Sequence, residues 1–253
     1  RVSKGGLDVG VGGPLPRRLG WGVQLTSERV EPESTATVYQ DREVLGRRRG
    51  DEIAFGDLPP AIQADLGQRR QTRLALTLSG DGREGPGLLV RGARGRLRAE
   101  GVFSQEKPFF HAGAEVRAYV PLRPGLVLAG RVRAAAVTAE APFYEKFYLG
   151  GLYTVRGYPS HSLSPPEGNL RLWTTSVELR SSWVGPPGNP RVAGLLFADL
   201  GWAGDTGAGS AETLKAGVGY GLRVRAPWID RIGIDVGVPL SSSPFDESFH
   251  LNL

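Results

Sequence analysis

Residues 214–225 read Leu-Lys-Ala-Gly-Val-Gly-Tyr-Gly-Leu-Arg-Val-Arg, and their period is two. Leu214, Ala216, Val218, Tyr220, Leu222 and Val224 fall on one side of an extended chain, and Lys215, Gly217, Gly219, Gly221, Arg223 and Arg225 on the other. Successive strand side chains point to opposite faces, so this stretch predicts a strand with one apolar face and one polar or tiny face. The pattern recurs on both sides of it. Ile232, Ile234, Val236, Val238 and Leu240 alternate with Gly233, Asp235, Gly237 and Pro239. Ala93, Gly95, Leu97, Ala99, Gly101 and Phe103 alternate with Arg94, Arg96, Arg98 and Glu100.

Working outward, strands are expected near 6–13, 20–31, 34–44, 71–80, 88–104, 110–122, 125–139, 168–182, 190–203, 212–225, 230–240 and 247–253. Short candidates near 51–57 and 61–68 bring the count to between twelve and fourteen, although Pro60–Gln68 also reads as a single helical turn. Turn residues sit between these runs: Gly12-Gly13-Pro14, Asp81-Gly82, Arg83-Glu84-Gly85-Pro86, Arg123-Pro124-Gly125 and Pro186-Pro187-Gly188. Alternation alone also suits a soluble β-sandwich or lipocalin-like barrel, but so many long antiparallel strands are many for one sandwich and natural for a closed barrel that spans a membrane. Trp21, Phe103, Phe109, Phe110, Trp173, Trp183, Trp202 and Trp228 lie near strand ends, which suits aromatic girdles at the membrane interfaces. The fold class is therefore all-β: an antiparallel transmembrane β-barrel over residues 1–253.

Composition agrees with this reading and excludes others. No stretch approaches the roughly 18 apolar residues of a membrane helix. The 37 Gly and 19 Pro suit strands and turns rather than helices. Without cysteine there is no disulfide framework, thiolate nucleophile or cysteine metal site. The absence of Met and of a signal peptide points to a mature chain or an excised domain. The net charge of +5 comes from arginines dispersed at alternate positions, which reads as solvated strand faces and not as a nucleic-acid site. His111, His161 and His250 lack metal-ligand spacing, and Ser160-His161-Ser162 lacks a nucleophile elbow, so no metal, cofactor or catalytic residue is expected.

One segment breaks the alternation. Between the strands ending near Thr138 and starting near Gly168 lies a long apolar excursion, about 140–167, and such a loop in a hairpin protein is usually functional or buried. It contains Phe147-Tyr148-Leu149-Gly150-Gly151 and then Val155-Arg156-Gly157-Tyr158. The next strand carries Ser176-Val177-Glu178-Leu179, and the one after it Phe197-Ala198-Asp199-Leu200-Gly201. Alternation puts Glu178 with Ser176, and Asp199 with Phe197 and Gly201, on the polar face. Taken alone, Arg156 reads as an ordinary surface arginine; with two acids on adjacent strands it reads as the centre of a buried cluster, because a guanidinium presents a fork of donors to carboxylates. Asp235 reads as a solvated residue of the polar face.

These motifs resemble the "GG…VRG(F/Y)", "S-x-E-L" and "F-x-D-x-G" signatures of the superfamily that includes BamA-type and TamA-like assembly factors and two-partner secretion pores. The resemblance is strong over roughly the last 120 residues and weak over 30–90. It implies a sixteen-stranded outer-membrane barrel, in a Gram-negative-type envelope or its organelle equivalent, with the loop folded into the lumen. There Arg156 would be held by Glu178 and Asp199, with Gly150, Gly151, Val155, Gly157 and Tyr158 shaping the loop and Phe197 and Gly201 supporting it. It further implies protein insertion through a lateral seam between the first and last strands, near Leu7–Gly12 and Phe249–Leu253. The partners implied are membrane lipid, unfolded outer-membrane or secreted polypeptides, and periplasmic accessory proteins. Alternative readings are a secretion pore, a barrel that anchors or exports a fused enzyme such as a patatin-like lipase, and a passive porin.

Overall fold

A computed structural model describes residues 2–32, 36–37, 52–53, 55–85, 89–104, 107–186, 190–205, 214–226, 229–240 and 248–252. Eleven strands build one sheet: β1 (Val2–Leu15), β2 (Leu19–Pro32), β5 (Arg69–Asp81), β6 (Gly92–Ser104), β7 (Phe109–Arg123), β8 (Leu126–Val137), β9 (Arg171–Val184), β10 (Val192–Gly204), β11 (Lys215–Ala226), β12 (Ile229–Pro239) and β13 (Ser248–Asn252). Every neighbouring pair is antiparallel, and the spatial order is the chain order. A ribbon of β3 (Ala36–Thr37) and β4 (Glu52–Ile53) stands apart. α1 (Pro60–Ala64) supplies the helical turn that the sequence allowed in place of a strand.

The described sheet thus holds eleven strands, fewer than the twelve to fourteen counted and the sixteen implied by resemblance. The candidate strand at 34–44 falls outside the described residues except for Ala36 and Thr37. The candidates at 51–57 and 61–68 resolve into β4, a 3-10 turn at Phe55–Asp57 and α1. The apolar residues of 58–66 do not alternate: Leu58 and Ile62 are one helical turn apart and bury together against Leu66 and Phe143.

Register gives the sheet its chemistry. Val120, Leu128, Leu179, Leu196, Tyr220 and Val236 pair in succession from β7 to β12. Trp21, Leu78, Leu97, Ala114, Ala134, Trp173 and Trp202 form a second row from β2 to β10. Because antiparallel partners share a face, these rows merge the single apolar stripes into one surface. It is open: Leu7 is 80% exposed, Leu196 61% and Leu97 54%. Water-soluble monomers rarely show continuous apolar surface beyond a few hundred Å², and a band crossing ten strands demands an apolar surrounding. Lipid supplies one.

The girdle reading needs one correction. Trp21, Phe103, Phe110 and Trp183 are exposed on this face, but Phe109 is 2% exposed and sits on the other, with Val102, Val137 and Ala141. Its neighbour Phe110 takes the outward phase. Trp228 lies outside the described residues.

The opposite face carries the charges and is covered by the segment between β8 and β9. That segment leaves β8 at Val137, makes a 3-10 turn at Phe143–Glu145 and returns to β9 at Arg171. Two apolar clusters glue it down: Val102, Phe109, Val137 and Ala141 with Phe147 and Leu170, and Leu149, Val155, Tyr158 and Leu172 with Leu163 and Ala203.

If the exposed face meets lipid, a charge placed on it is costly. Ile234→Arg should make folding into bilayers less favourable by about 2–4 kcal/mol near the midplane. Lys215→Gln, on the other face, should change it little. Reversible unfolding from vesicles measures both, and a tolerated arginine at position 234 would remove the lipid contact.

Candidate functional site: the loop and its charged clasp

The tip of the covering segment turns on glycines. Gly150 and Gly151 have φ of +104° and +96°, and Gly157 has φ of +100°, a region that residues with a Cβ rarely occupy. At Gly157 space is also closed: a Cβ would lie 2.8 Å from the Val238 carbonyl carbon and 2.9 Å from the Pro239 nitrogen. The wall answers with its own glycines. A side chain at Gly201 would come 2.5 Å from Val155 Cγ2 and 2.8 Å from Leu149 Cδ1, one at Gly217 would fall on the Arg156 carbonyl oxygen, and one at Gly237 would lie 2.5 Å from the Gly157 nitrogen. β10, β11 and β12 therefore form a slot that accepts Val155-Arg156-Gly157 at backbone distance. Val155 is fully buried and Tyr158 is 4% exposed, its hydroxyl donating to the Ala216 carbonyl at 3.2 Å.

Seated in the slot, Arg156 meets oxygens of four side chains. Nε donates to Asp199 Oδ2 at 2.7 Å and Nη2 to Oδ1 at 2.8 Å, while the backbone N–H of Arg156 reaches Oδ2 at 3.1 Å. Nη1 lies 2.9 Å from Glu178 Oε1 and 3.3 Å from Asp235 Oδ2, and Nη2 donates to Ser176 Oγ at 3.0 Å. The guanidinium stacks on the Phe197 ring, 3.6 Å from its centroid, in the geometry of a cation–π contact. Strand register explains the convergence: Asp199 pairs with Ser176 on β9 and with Gly217 on β11, and Phe197 pairs with Glu178. Burial opposes the charge of Arg156, but the hydrogen bonds to Asp199 and the charges of Asp199, Glu178 and Asp235 outweigh it and raise its pKa.

The structure departs from the sequence reading at Asp235, which is 0% exposed instead of solvated. It accepts from Arg223 Nη1 at 2.6 Å and Nη2 at 2.9 Å as well as facing Arg156. Its signal was present: Asp235 shares the polar phase of β12 with Gly237, and it pairs with Gly221 on β11, where no side chain shields it from Arg223.

A second anchor went unnoticed in the sequence. Glu145, at the loop's first turn, has Lys4 Nζ of β1 at 2.7 Å, Arg73 Nη2 of β5 at 2.8 Å and His111 Nε2 of β7 at 3.2 Å. Burial acts to raise its pKa, but the contact with His111 and the charges of Lys4 and Arg73 bring it down to about 2. Arg73 passes the network on to Glu100 at 2.5 Å and Glu28 at 3.3 Å. No motif marks Glu145, and its partners are far away in sequence. Among the described residues, no group of three His, Asp or Glu side chains is placed to hold a metal.

A family model described as the Omp85 superfamily domain matches residues 1–253. The outer membrane protein assembly factor BamA of Nitratidesulfovibrio vulgaris is 34% identical over 151 residues, covering 55% of this chain and 19% of that protein. The crystal structure of BamA from Haemophilus ducreyi lacking POTRA domains 1–3 superposes with a TM-score of 0.72 at 15% identity, over 99% of this chain and 53% of the other. The chain thus spans about a fifth of the one relative and about half of the other, and the structural likeness speaks for the fold. The chain belongs to the Omp85 superfamily and is an outer-membrane β-barrel protein.

Proposed function

We propose that residues 1–253 form the barrel domain of an outer-membrane protein assembly factor, with the loop at about 140–167 lying in its lumen. The observation that carries this reading is the state of the two edge strands. β1 and β13 end the sheet on opposite sides, and no pairing joins them among the described residues. Among the described residues, β1 spans fourteen residues and β13 five. In a bilayer an unpaired strand edge is costly, so β1 has to pair with something. A partner that matches only part of its length leaves room for an incoming strand to add by β-augmentation. The outer face of β1, with Leu7, Val9 and Val11 exposed, already suits lipid. A client strand with the same alternation would extend the apolar band without altering it.

In this reading the barrel acts by changing shape and performs no bond chemistry. Lipid, unfolded outer-membrane polypeptides and periplasmic accessory proteins are its partners. Arg156 acts as the lock that keeps the loop on β9, β10 and β12. A secretion pore would instead require the loop to leave the lumen, and one engineered crosslink separates the two.

Two outcomes are expected. Cysteines placed one on Leu7–Gly12 and one on Phe249–Leu253 should, once oxidised, abolish insertion of a client barrel into vesicles, with recovery on reduction and no loss of fold. Full insertion with the crosslink in place would exclude the seam. Arg156→Ala leaves buried Asp199 without its cation, while Asp235 keeps Arg223 and Glu178 keeps Arg180, and breaking a buried pair in this way costs about 3–5 kcal/mol. The loop should become protease-sensitive and insertion should fall. Arg156→Lys should recover only part of both, because lysine lacks the planar fork; full recovery by lysine would show that charge alone holds the loop.

A further inference from the structure

We infer that Glu145 is a positioning residue that fastens edge strand β1 to the loop, so that one loop clasps the sheet near both of its edges. The two clasps are eleven residues apart in the chain. At one end Glu145 takes Lys4 of β1, together with Arg73 and His111. At the other, Arg156 takes Asp235 of β12, the neighbour of β13.

The physical case rests on what each partner would do alone. Lys4 lies on the face of β1 that carries Gly6 and Asp8, and among the described residues the sheet gives β1 hydrogen bonds on one side only, from β2. A strand held along one side frays from its free edge. The bond from Lys4 to Glu145, with the same ammonium 5.7 Å from the centroid of the Tyr144 ring, holds β1 to the loop through a charged side chain, and it leads to an anchored residue. Glu145 is itself fixed by Arg73, whose guanidinium is also held by Glu28 and Glu100, so Lys4 is bound to a rigid point. The side chain of Glu145 is 8% exposed, and a half-buried ion pair is screened far less than one in water. The loop start is braced from behind as well, because the Phe143 N–H donates to Asp65 Oδ2 beside α1 at 2.8 Å.

Docking of the loop and order in β1 are thereby linked. With the loop seated, the edge that would receive a client is held; with Glu145 withdrawn, it is freed. That consequence for insertion rests on the seam proposed above, whereas the tie itself does not.

Hydrogen exchange on the whole chain in lipid nanodiscs separates the two. Glu145→Gln should speed amide exchange over residues 4–11 of β1 and over the start of the loop by roughly tenfold, while β9 and β10 keep their protection. Lys4→Gln should speed exchange in β1 alone, since Arg73 still holds Glu145 and the loop; this variant carries the test if Glu145→Gln fails to fold. Unchanged exchange in β1 for Lys4→Gln would overturn the tie. Faster exchange in β1 with unaltered insertion of a client barrel would leave the tie standing and remove the seam.

Discussion

A guanidinium cannot shed its charge, so an arginine removed from water must take its counter-charges with it. Arg156 is 5% exposed and carries three carboxylates from three strands. Most of the surrounding structure can be read as a response to that demand. Wall glycines at 201, 217 and 237 let the loop backbone reach the acids, and positive φ at Gly157 turns the chain once it has arrived. Phe197 covers the flat side of the guanidinium. Arg223 balances the surplus carboxylate of Asp235, and Arg180, 2.7 Å from Glu178 Oε2, balances that of Glu178. Removing a charged member of the cluster singly leaves a buried charge short of its complement, which costs far more than the intact group contributes.

The parts legible in the sequence are those written into one strand or one motif at a time. Period two located the sheet strands of 214–225 and 230–240 and sorted Glu178 from Leu179, and Asp199 from Leu200, because facing is a local property of an extended chain. The clasp partners of Arg156 on β9 and β10 were legible for the same reason, with a motif to join them. Asp235 was misread since its burial depends on Arg223 and on the bare Gly221 across the ladder, and neither fact belongs to its own strand. Phe109 and Phe110 show the limit of assigning aromatics by position near a strand end: adjacent residues must take opposite faces, so one of them had to leave the girdle. Glu145 was hidden more deeply, because Lys4, Arg73 and His111 come from three strands whose arrangement exists only after the sheet has formed.

The charged face is organised regionally. Around Glu145 the network runs through β1, β2, β5, β6 and β7; around Arg156 it runs through β9, β10, β11 and β12. β8 lies between them, with Arg131 held 2.8 Å from Glu115 of β7 and donating to the loop carbonyl of Tyr153 at 3.2 Å. The loop touches both networks: it is held by charge at Glu145 near its start and at Arg156 at its tip, and apolar side chains pack it to the sheet between and beyond these points.

The coherent apolar band has a consequence for the chain before it folds. Each strand brings its apolar side chains singly, separated by arginine, glycine or acid, so an extended chain presents water with a mixed and fairly polar polymer. Greasiness emerges only when neighbouring strands pair in register and every stripe turns the same way. The polypeptide therefore stays compatible with an aqueous compartment for as long as its strands remain apart, and it becomes an amphiphile in the same act that gives it a sheet. A one-residue slip in any single pairing would scatter arginines across the band, so correct register and affinity for lipid are acquired together.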